Sequence, residues 1–375
     1  MRITWVYPAA NLSGGTKSNR LIAEAMVRRG HEVNLAYPDV THPWPPPWRI
    51  RRFGRRLHAE VVALGREKHH LTSSTVNLIR VPHRPIRHED VPDADVVIAT
   101  WWETREWIEE WPDAKGMKAY FVRGHEVFSK HPDRIAATYR MPGVKLVISR
   151  WLQRVMAEEY GDPNAVLVPN GVDWSQFDST PRGRNATPTV GMLYGRGALK
   201  GPDTALKALR LVQQQIPSLR VVAFGSQPML REHRALAPSG LELHVRPTQT
   251  MIPELYKRAD CWVVPSTTEG FGMPGLEAAA CHCPVVSTRC GGPEDYVDDG
   301  VSGHLVPVGD PHAMADAILS VLSLDNAAWR TMSEASYQMS QRFDWDRSAE
   351  ILEEALLQRL QSKHGQTSAS ATAAS

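Results

Sequence analysis

Two glutamates, Glu269 and Glu277, stand eight residues apart around the run Gly270-Phe271-Gly272-Met273-Pro274. Pro274 suits the first turn of a helix, where its fixed φ fits and its missing N–H costs nothing. The amides of Phe271, Gly272 and Met273 then point out of the helix start, and the dipole there favours an anion or ligand oxygens. A pair of glutamates at this spacing is common. The apolar strand Cys261–Pro265 just before it, with the glycine-rich approach to a helix, makes this pair informative. A second cluster, Gly195-Arg-Gly-Ala-Leu-Lys-Gly201, follows a strand and opens a helix. Positive charge is disfavoured at a helix amino terminus, so Arg196 and Lys200 point to a diphosphate held between them. A third, Ser13-Gly14-Gly15-Thr16, also leads from strand to helix, although a tight turn alone would explain its glycines.

The elements that must position these groups alternate between short apolar runs and helical patterns, which predicts α/β units with parallel sheets. Strands are expected at 3–7, 32–37, 96–100, 119–122, 145–149, 166–168, 190–194, 219–224, 261–265 and 285–288. A helix is expected over 203–215, and another ends at Gly30, a good residue to follow a helix. Residues 173–188, polar and aperiodic with two prolines, read as a linker. The expected organisation is a first domain over 1–172, a second over 189–345, a helix over 346–361 packing back on the first, and a disordered tail over 362–375. Ligands of such domains sit at the carboxyl ends of the strands.

Composition narrows the function. The 375 residues suit two domains, and 42% hydrophobic with 22% charged residues is ordinary for a soluble globular protein. A net charge of +2 gives no global signal for nucleic acid. The start, Ile3 to Tyr7, reads as a strand rather than a secretory signal, and no run approaches a membrane span, so a cytoplasmic protein is expected. Cys281, His282, Cys283 and Cys290 lack paired C-x2-C units, so buried reduced thiols with Cys261 are expected and no metal site is assigned. Asp93-Ala-Asp95 is formally a D-x-D metal motif but leads straight into a strand. Neither glycine-rich turn is G-x-G-x-x-G, so Asp39 after the second strand is weak support for a dinucleotide cofactor. Twelve tryptophans, several between Trp44 and Trp111, read first as packing and second as a sugar- or lipid-facing surface.

At the Glu269–Glu277 signature the chain resembles the retaining glycosyltransferases of family 4 (glycosyl transferases group 1), with the GT-B fold of two Rossmann-like domains facing across a cleft. The likeness extends to Ser13-Gly-Gly-Thr16, Arg123-Gly-His-Glu126, Pro169-Asn-Gly-Val-Asp173, Gly291-Gly-Pro-Glu-Asp295, Asp299-Gly-Val-Ser-Gly303 and Phe343-Asp-Trp345. The resemblance implies that Glu269 and the amides of Gly270 to Met273, before Pro274, hold hydroxyls of a donor sugar. It implies that Glu277 accepts from the nucleotide ribose, and that Arg196 and Lys200 neutralise the diphosphate leaving group. These two are four apart, against the family's usual five or six, which makes Lys200 the firmer assignment. His125 matches a histidine beside the reacting sugar, with a hydrogen-bonded structural role as the alternative. Gly15 and Thr16 would approach the diphosphate from the first domain. The implied reaction is same-face displacement with retained configuration and no cofactor or metal, the departing phosphate helping to take the acceptor's proton.

The resemblance puts the acceptor on the first domain and base recognition near Arg246 to Met251, largely through backbone groups. The acceptor itself stays open: a glycan, a lipid-linked sugar or a small molecule, as in polysaccharide biosynthesis. Residues 49–70 carry seven Arg or Lys against two Glu, and Ile50, Phe53, Leu57, Val61 and Leu64 share one helical face. The stretch 49–64 therefore reads equally as a basic helix on the inner membrane surface or as an ordinary surface helix. A sugar phosphorylase, a nucleotide-sugar epimerase and a non-catalytic GT-B subunit are the rival readings. Intact Glu269, Glu277 and Lys200 argue against the last.

Overall fold

The computed structural model describes residues 1–11, 13–39, 69–72, 74–127 and 130–373. The basic stretch 49–64, with Trp44 and Trp48, lies outside them. The chain divides into two units: unit 1 is Met1–Ile148, Gln153–Val168 and Trp345–Ser375, and unit 2 is Ser149–Leu152 and Pro169–Asp344.

Unit 1 holds β1 (Arg2–Val6), β2 (Glu32–Pro38), β3 (Asn77–Val81), β4 (Val96–Ala99), β5 (Met117–Val122), β6 (Val144–Val147) and β7 (Val166–Leu167). They form one parallel sheet in the order 3-2-1-4-5-6-7. Unit 2 holds β8 (Thr189–Leu193), β9 (Arg220–Gly225), β10 (Glu242–Val245), β11 (Cys261–Val264), β12 (Val285–Thr288) and β13 (Gly303–Val306). Their order, 10-9-8-11-12-13, is again all parallel. Both sheets reverse direction beside their first strand, the arrangement of a doubly wound dinucleotide-type fold, whose ligand crevice opens where the order reverses. In unit 2 that point lies between β8 and β11, so the loops after these two strands must meet there.

Three strands carry no clear signal in the sequence. β3, β10 and β13 sit at sheet edges and are only partly buried, so their sequences NLIRV, ELHV and GHLV lack a continuous apolar run. The central strands β4, β11 and β12 are buried at every residue and read plainly.

Two expectations need correction. The stretch 173–188 is built into unit 2 rather than linking two bodies. It opens with a helix at Trp174–Phe177, and the amide of Asn185 donates to Asp260 Oδ1 at 2.8 Å. The Arg184 guanidinium reaches the carbonyls of Leu322 and Leu324. Low periodicity there reflects a strap held by hydrogen bonds instead of an apolar face. At the other end, the helix Trp345–Ala373 continues through the segment expected as a disordered tail. Its Asp346 and Glu353 pair with Arg28 and Arg29, which close the helix Gly14–Arg28 of the same unit.

The closest backbone approach near the unit 2 reversal is at Gly201, in the left-handed region with φ +59°. A Cβ there would lie 1.8 Å from the carbonyl oxygen of Pro265. Gly201→Ala is therefore expected to cost about 3 kcal/mol or more, from left-handed strain plus forced backbone movement. Denaturant unfolding checks this; a loss near zero would show that the loops can separate freely.

Candidate functional site in unit 2

The loop after β8 passes through a 3-10 turn at Ala198–Lys200 and enters the helix Pro202–Gln215 at Gly201. The Lys200 stem lies over Gly195, where a Cβ would stand 2.9 Å from Lys200 Cγ. The loop after β11 is tied to it by the Thr267 amide, which donates to the carbonyl of Leu199 at 2.9 Å. Across this junction Lys200 Nζ donates to Glu269 Oε1 at 2.6 Å, and Ser266 Oγ donates to the same oxygen at 2.9 Å. Glu269 is also fixed by its backbone: its amide donates to Cys290 and its carbonyl accepts from Gly292. Three loops, after β8, β11 and β12, thus converge on one carboxylate.

The helix Met273–Ala280 begins where sequence reasoning puts it, with Pro274 in the first turn and Gly272 as cap at φ +80°. Tyr296 explains two glycines of the run. Its hydroxyl donates to the Gly272 carbonyl at 2.7 Å, and a Cβ on Gly275 would stand 2.4 Å from it. Phe271 is buried against Tyr296 and Phe343, which sets the path of the backbone into the helix. The Gly275 amide donates to the Gly272 carbonyl at 2.9 Å, while a helix start leaves its earlier amides without an intrahelical acceptor.

Glu277 sits within the same helix and accepts from the Tyr256 hydroxyl at 2.8 Å. Tyr256 is fully buried, and burial first, then the Glu277 charge, hold its phenol well above the usual range, so it remains a donor. Arg196 does not join Lys200. Its exposed guanidinium makes two hydrogen bonds to the Pro228 carbonyl, at 2.9 and 2.6 Å, which separates the two cations. Sequence reasoning missed Ser266, Tyr256 and Tyr296. Ser266 lay in view three residues before Glu269, whereas the two tyrosines reach the site only through the fold. Of the loop 246–251, Arg246 adopts φ +52° and Gln249–Met251 forms a 3-10 turn.

The cysteine thiols make no hydrogen bond to Lys200, Glu269 or Glu277 among the described residues, although the Cys290 carbonyl accepts from the Glu269 amide. All four are buried and free, and the thiols of Cys281 and Cys283 donate to the carbonyls of Phe177 and Ala259. Burial pushes Cys283 and Cys290 each up to about 12.

In unit 1, Gly15 and Thr16 lie in the first turn of the helix Gly14–Arg28, capped by Ser13. Thr16 Oγ1 donates to Asn11 at 2.8 Å and is buried, so it serves the local turn. Gly15 has room for a side chain among the described residues: a Cβ would meet only Ser13 Oγ, at 3.9 Å. Packing therefore does not require glycine there. His125 Nε2 lies 2.7 Å from the Tyr160 hydroxyl, with Glu159 at 3.6 Å. Burial lowers its pKa, Glu159 opposing, so the ring is neutral at pH 7. Before it, Arg123 donates to Asn19 and stacks on Phe121, and burial lowers it to about 10. Among the described residues no helix is long and apolar enough to cross a membrane.

Residues 187–324, which carry Lys200, Glu269 and Glu277, match the family model for glycosyl transferases group 1. A D-inositol 3-phosphate glycosyltransferase of Saccharomonospora viridis is 35% identical over 51% of this chain and 49% of its own length. One of the same name from Corynebacterium jeikeium is 34% identical over 50% of each. The chain spans about half the length of the curated relatives it matches. Among solved structures, the sucrose-phosphate synthase of Thermosynechococcus elongatus superposes with TM-score 0.71 at 18% identity, covering 96% of this chain and 100% of its own. The Anabaena protein HepE, solved with UDP and glucose, gives 0.72 at 18% over the same shares. The fold is GT-B, with two Rossmann-like domains.

A depressed histidine pKa makes the folded state lose stability as pH falls from the ordinary value, because the unfolded chain binds the proton more readily. Burial lowers His31, His69, His125 and His282 alike. Stability should therefore drop below about pH 6.5, and His125→Gln should make that drop shallower in denaturant melts. An unchanged slope would remove His125 from the set.

Proposed function

We propose that the protein transfers a glycosyl group from a nucleotide-sugar to an acceptor hydroxyl with retention of configuration. The observation that carries this reading is the convergence of Lys200, Ser266 and Glu269 at the reversal of the unit 2 sheet, within the segment matching the group 1 family. Two donors meet on Glu269 Oε1, which orients the carboxylate and leaves Oε2 to accept from a sugar hydroxyl. Glu277, held by Tyr256, accepts from the ribose hydroxyls. Lys200 and the amides at the start of Met273–Ala280 stabilise the diphosphate as its negative charge grows. The bond from the anomeric carbon to the phosphate oxygen breaks while the bond to the acceptor oxygen forms on the same face. The acceptor proton passes to the departing phosphate.

The UDP of the HepE structure supports a uridine nucleotide as donor. Charge neutralisation by Lys200 and helix amides needs no metal, and activity is expected to survive a chelator. Gly15 is assigned to the diphosphate and His125 to the reacting sugar, with acceptor binding by unit 1, whereas the Thr16 hydroxyl, bonded to Asn11, serves the local turn. A cytoplasmic enzyme touching the membrane through residues 49–64 completes the reading. Replacing Arg51, Arg52, Arg55 and Arg56 together should then abolish liposome binding.

UDP should raise the melting temperature more than GDP, ADP or dTDP, since a ligand present at 100 times its Kd adds about 2.7 kcal/mol to the folded state. No shift with any nucleotide would overturn the reading. Lys200→Ala should lower kcat about 100-fold or more, yet barely alter stability, because its ammonium is half exposed in a pair of small net worth. Glu277→Ala should instead raise the donor KM.

A further inference from the structure

The loop 195–201 that carries Lys200 has little to hold it between its ends. Arg196, Gly197 and Ala198 are exposed, and among the described residues a Cβ on Gly197 would meet no atom within 4 Å. Two glycines inside the loop, Gly195 and Gly197, add backbone freedom. Yet the Lys200 ammonium is placed on one carboxylate oxygen of Glu269, at 2.6 Å.

Both ends of the loop lead to one buried ring. Tyr194, the residue before the loop, is 2% exposed, and its hydroxyl lies 2.7 Å from His233 Nδ1. Asp203, two residues past Gly201 in the helix Pro202–Gln215, brings Oδ1 within 3.3 Å of His233 Nε2. His233 itself is 6% exposed, in the short helix Arg231–Leu236. An ionised carboxylate only accepts, so Asp203 favours the ring proton on Nε2 and leaves Nδ1 to accept from the Tyr194 hydroxyl. The Tyr194 oxygen in turn accepts from the Leu230 amide at 3.0 Å. The ring and the hydroxyl are thereby fixed from three segments of chain.

The support behind the ring is fixed separately. Arg210 Nη1 and Gln213 Nε2, from the helix Pro202–Gln215, donate to the carbonyls of Ala235 and Ser239 at 3.1 and 3.0 Å. Arg196 docks the loop on the same segment through its two bonds to Pro228. The backbone of Tyr194 is closed in as well. Its amide donates to Phe224 at 2.7 Å, and a Cβ on Gly225 would lie 2.4 Å from its carbonyl oxygen.

We propose that His233 is a positioning residue for Lys200. By bonding Tyr194 before the loop and Asp203 after it, the ring sets the span that the loop must close, and hence where the ammonium lies. This inference rests on the reading of Lys200 as the group that meets the diphosphate. His233 touches no substrate and acts only through the loop. Residue spacing gives no sign of it, because 39 positions separate Tyr194 from His233.

Competitive acetylation of the full chain, read by mass spectrometry, tests this without turnover. The variants are His233→Ala and Tyr194→Phe, the second of which removes a single oxygen. Both should raise the labelling rate of Lys200 relative to the exposed Lys207 by about twofold or more, the scale set by losing a half-exposed ion pair. In sugar-transfer assays both should lower kcat about tenfold, since misplacing a group that stabilises charge is costly, and leave the donor KM nearly unchanged. His233→Asn keeps an acceptor near the place of Nδ1 and should recover part of that loss. In a Lys200→Ala background His233→Ala should add little, because both changes act through one ammonium. Unchanged relative labelling of Lys200 in both variants would overturn the proposal. So would kcat losses that multiply with that of Lys200→Ala, or a His233→Asn variant no better than His233→Ala. The unsubstituted chain reports on the reaction itself: if it transfers no sugar, that reading fails, while acetylation still decides the role of His233.

Discussion

The backbone approach at Gly201 constrains everything built around it. A parallel sheet that reverses between β8 and β11 brings two loops to one crevice, and their separation decides whether side chains can meet across it. Here the carbonyl of Pro265 occupies the space of a Cβ on residue 201. The Thr267 amide then reaches Leu199, and the Lys200 ammonium reaches Glu269. With a bulkier residue at 201 the loops must part, and the Lys200–Glu269 contact of 2.6 Å parts with them. The third loop, at Gly291–Gly292, depends on the same geometry, since it hydrogen-bonds to the backbone of Glu269 and passes over Phe271.

The ion pair at the centre is weak in the sense that matters. Lys200 is 44% exposed and Glu269 15%, so water screens the attraction and the pair adds little to folding. A strong, buried pair would resist giving up its ammonium to a phosphate. A weak one, positioned by loops instead of by its own attraction, leaves the Lys200 ammonium free to take another anionic partner at little cost. Arg196 shows the contrast: bound twice to a carbonyl, it stays out of the cluster.

The parts of the molecule that were legible in the sequence are those where one physical signal dominates. Central strands are buried on both faces and read as apolar runs, as in Val96–Ala99 and Val285–Thr288. The start of Met273–Ala280 was legible because proline and glycine have sharp backbone preferences. Edge strands such as Glu242–Val245 escaped, since half-buried residues carry no run. The strap 173–188 looked like a linker because hydrogen bonds to carbonyls, such as those of Arg184, leave no trace in residue spacing. Within the site, Glu269, Glu277 and Lys200 were found from local context. Tyr256 was not, because its contact with Glu277 spans 21 residues and depends on how one helix lies against another.

The helix Trp345–Ala373 belongs to the unit that the chain begins, and it pairs with residues at the end of the first helix. Nearly all of unit 2 lies between them in sequence. During synthesis, unit 2 is therefore fully translated before the last layer of unit 1 exists. Domains generally fold as units while the chain emerges, so the second half can reach its native state on the ribosome while the first waits for its closing helix. Completion of unit 2 therefore does not wait for the helix Trp345–Ala373, whereas completion of unit 1 does.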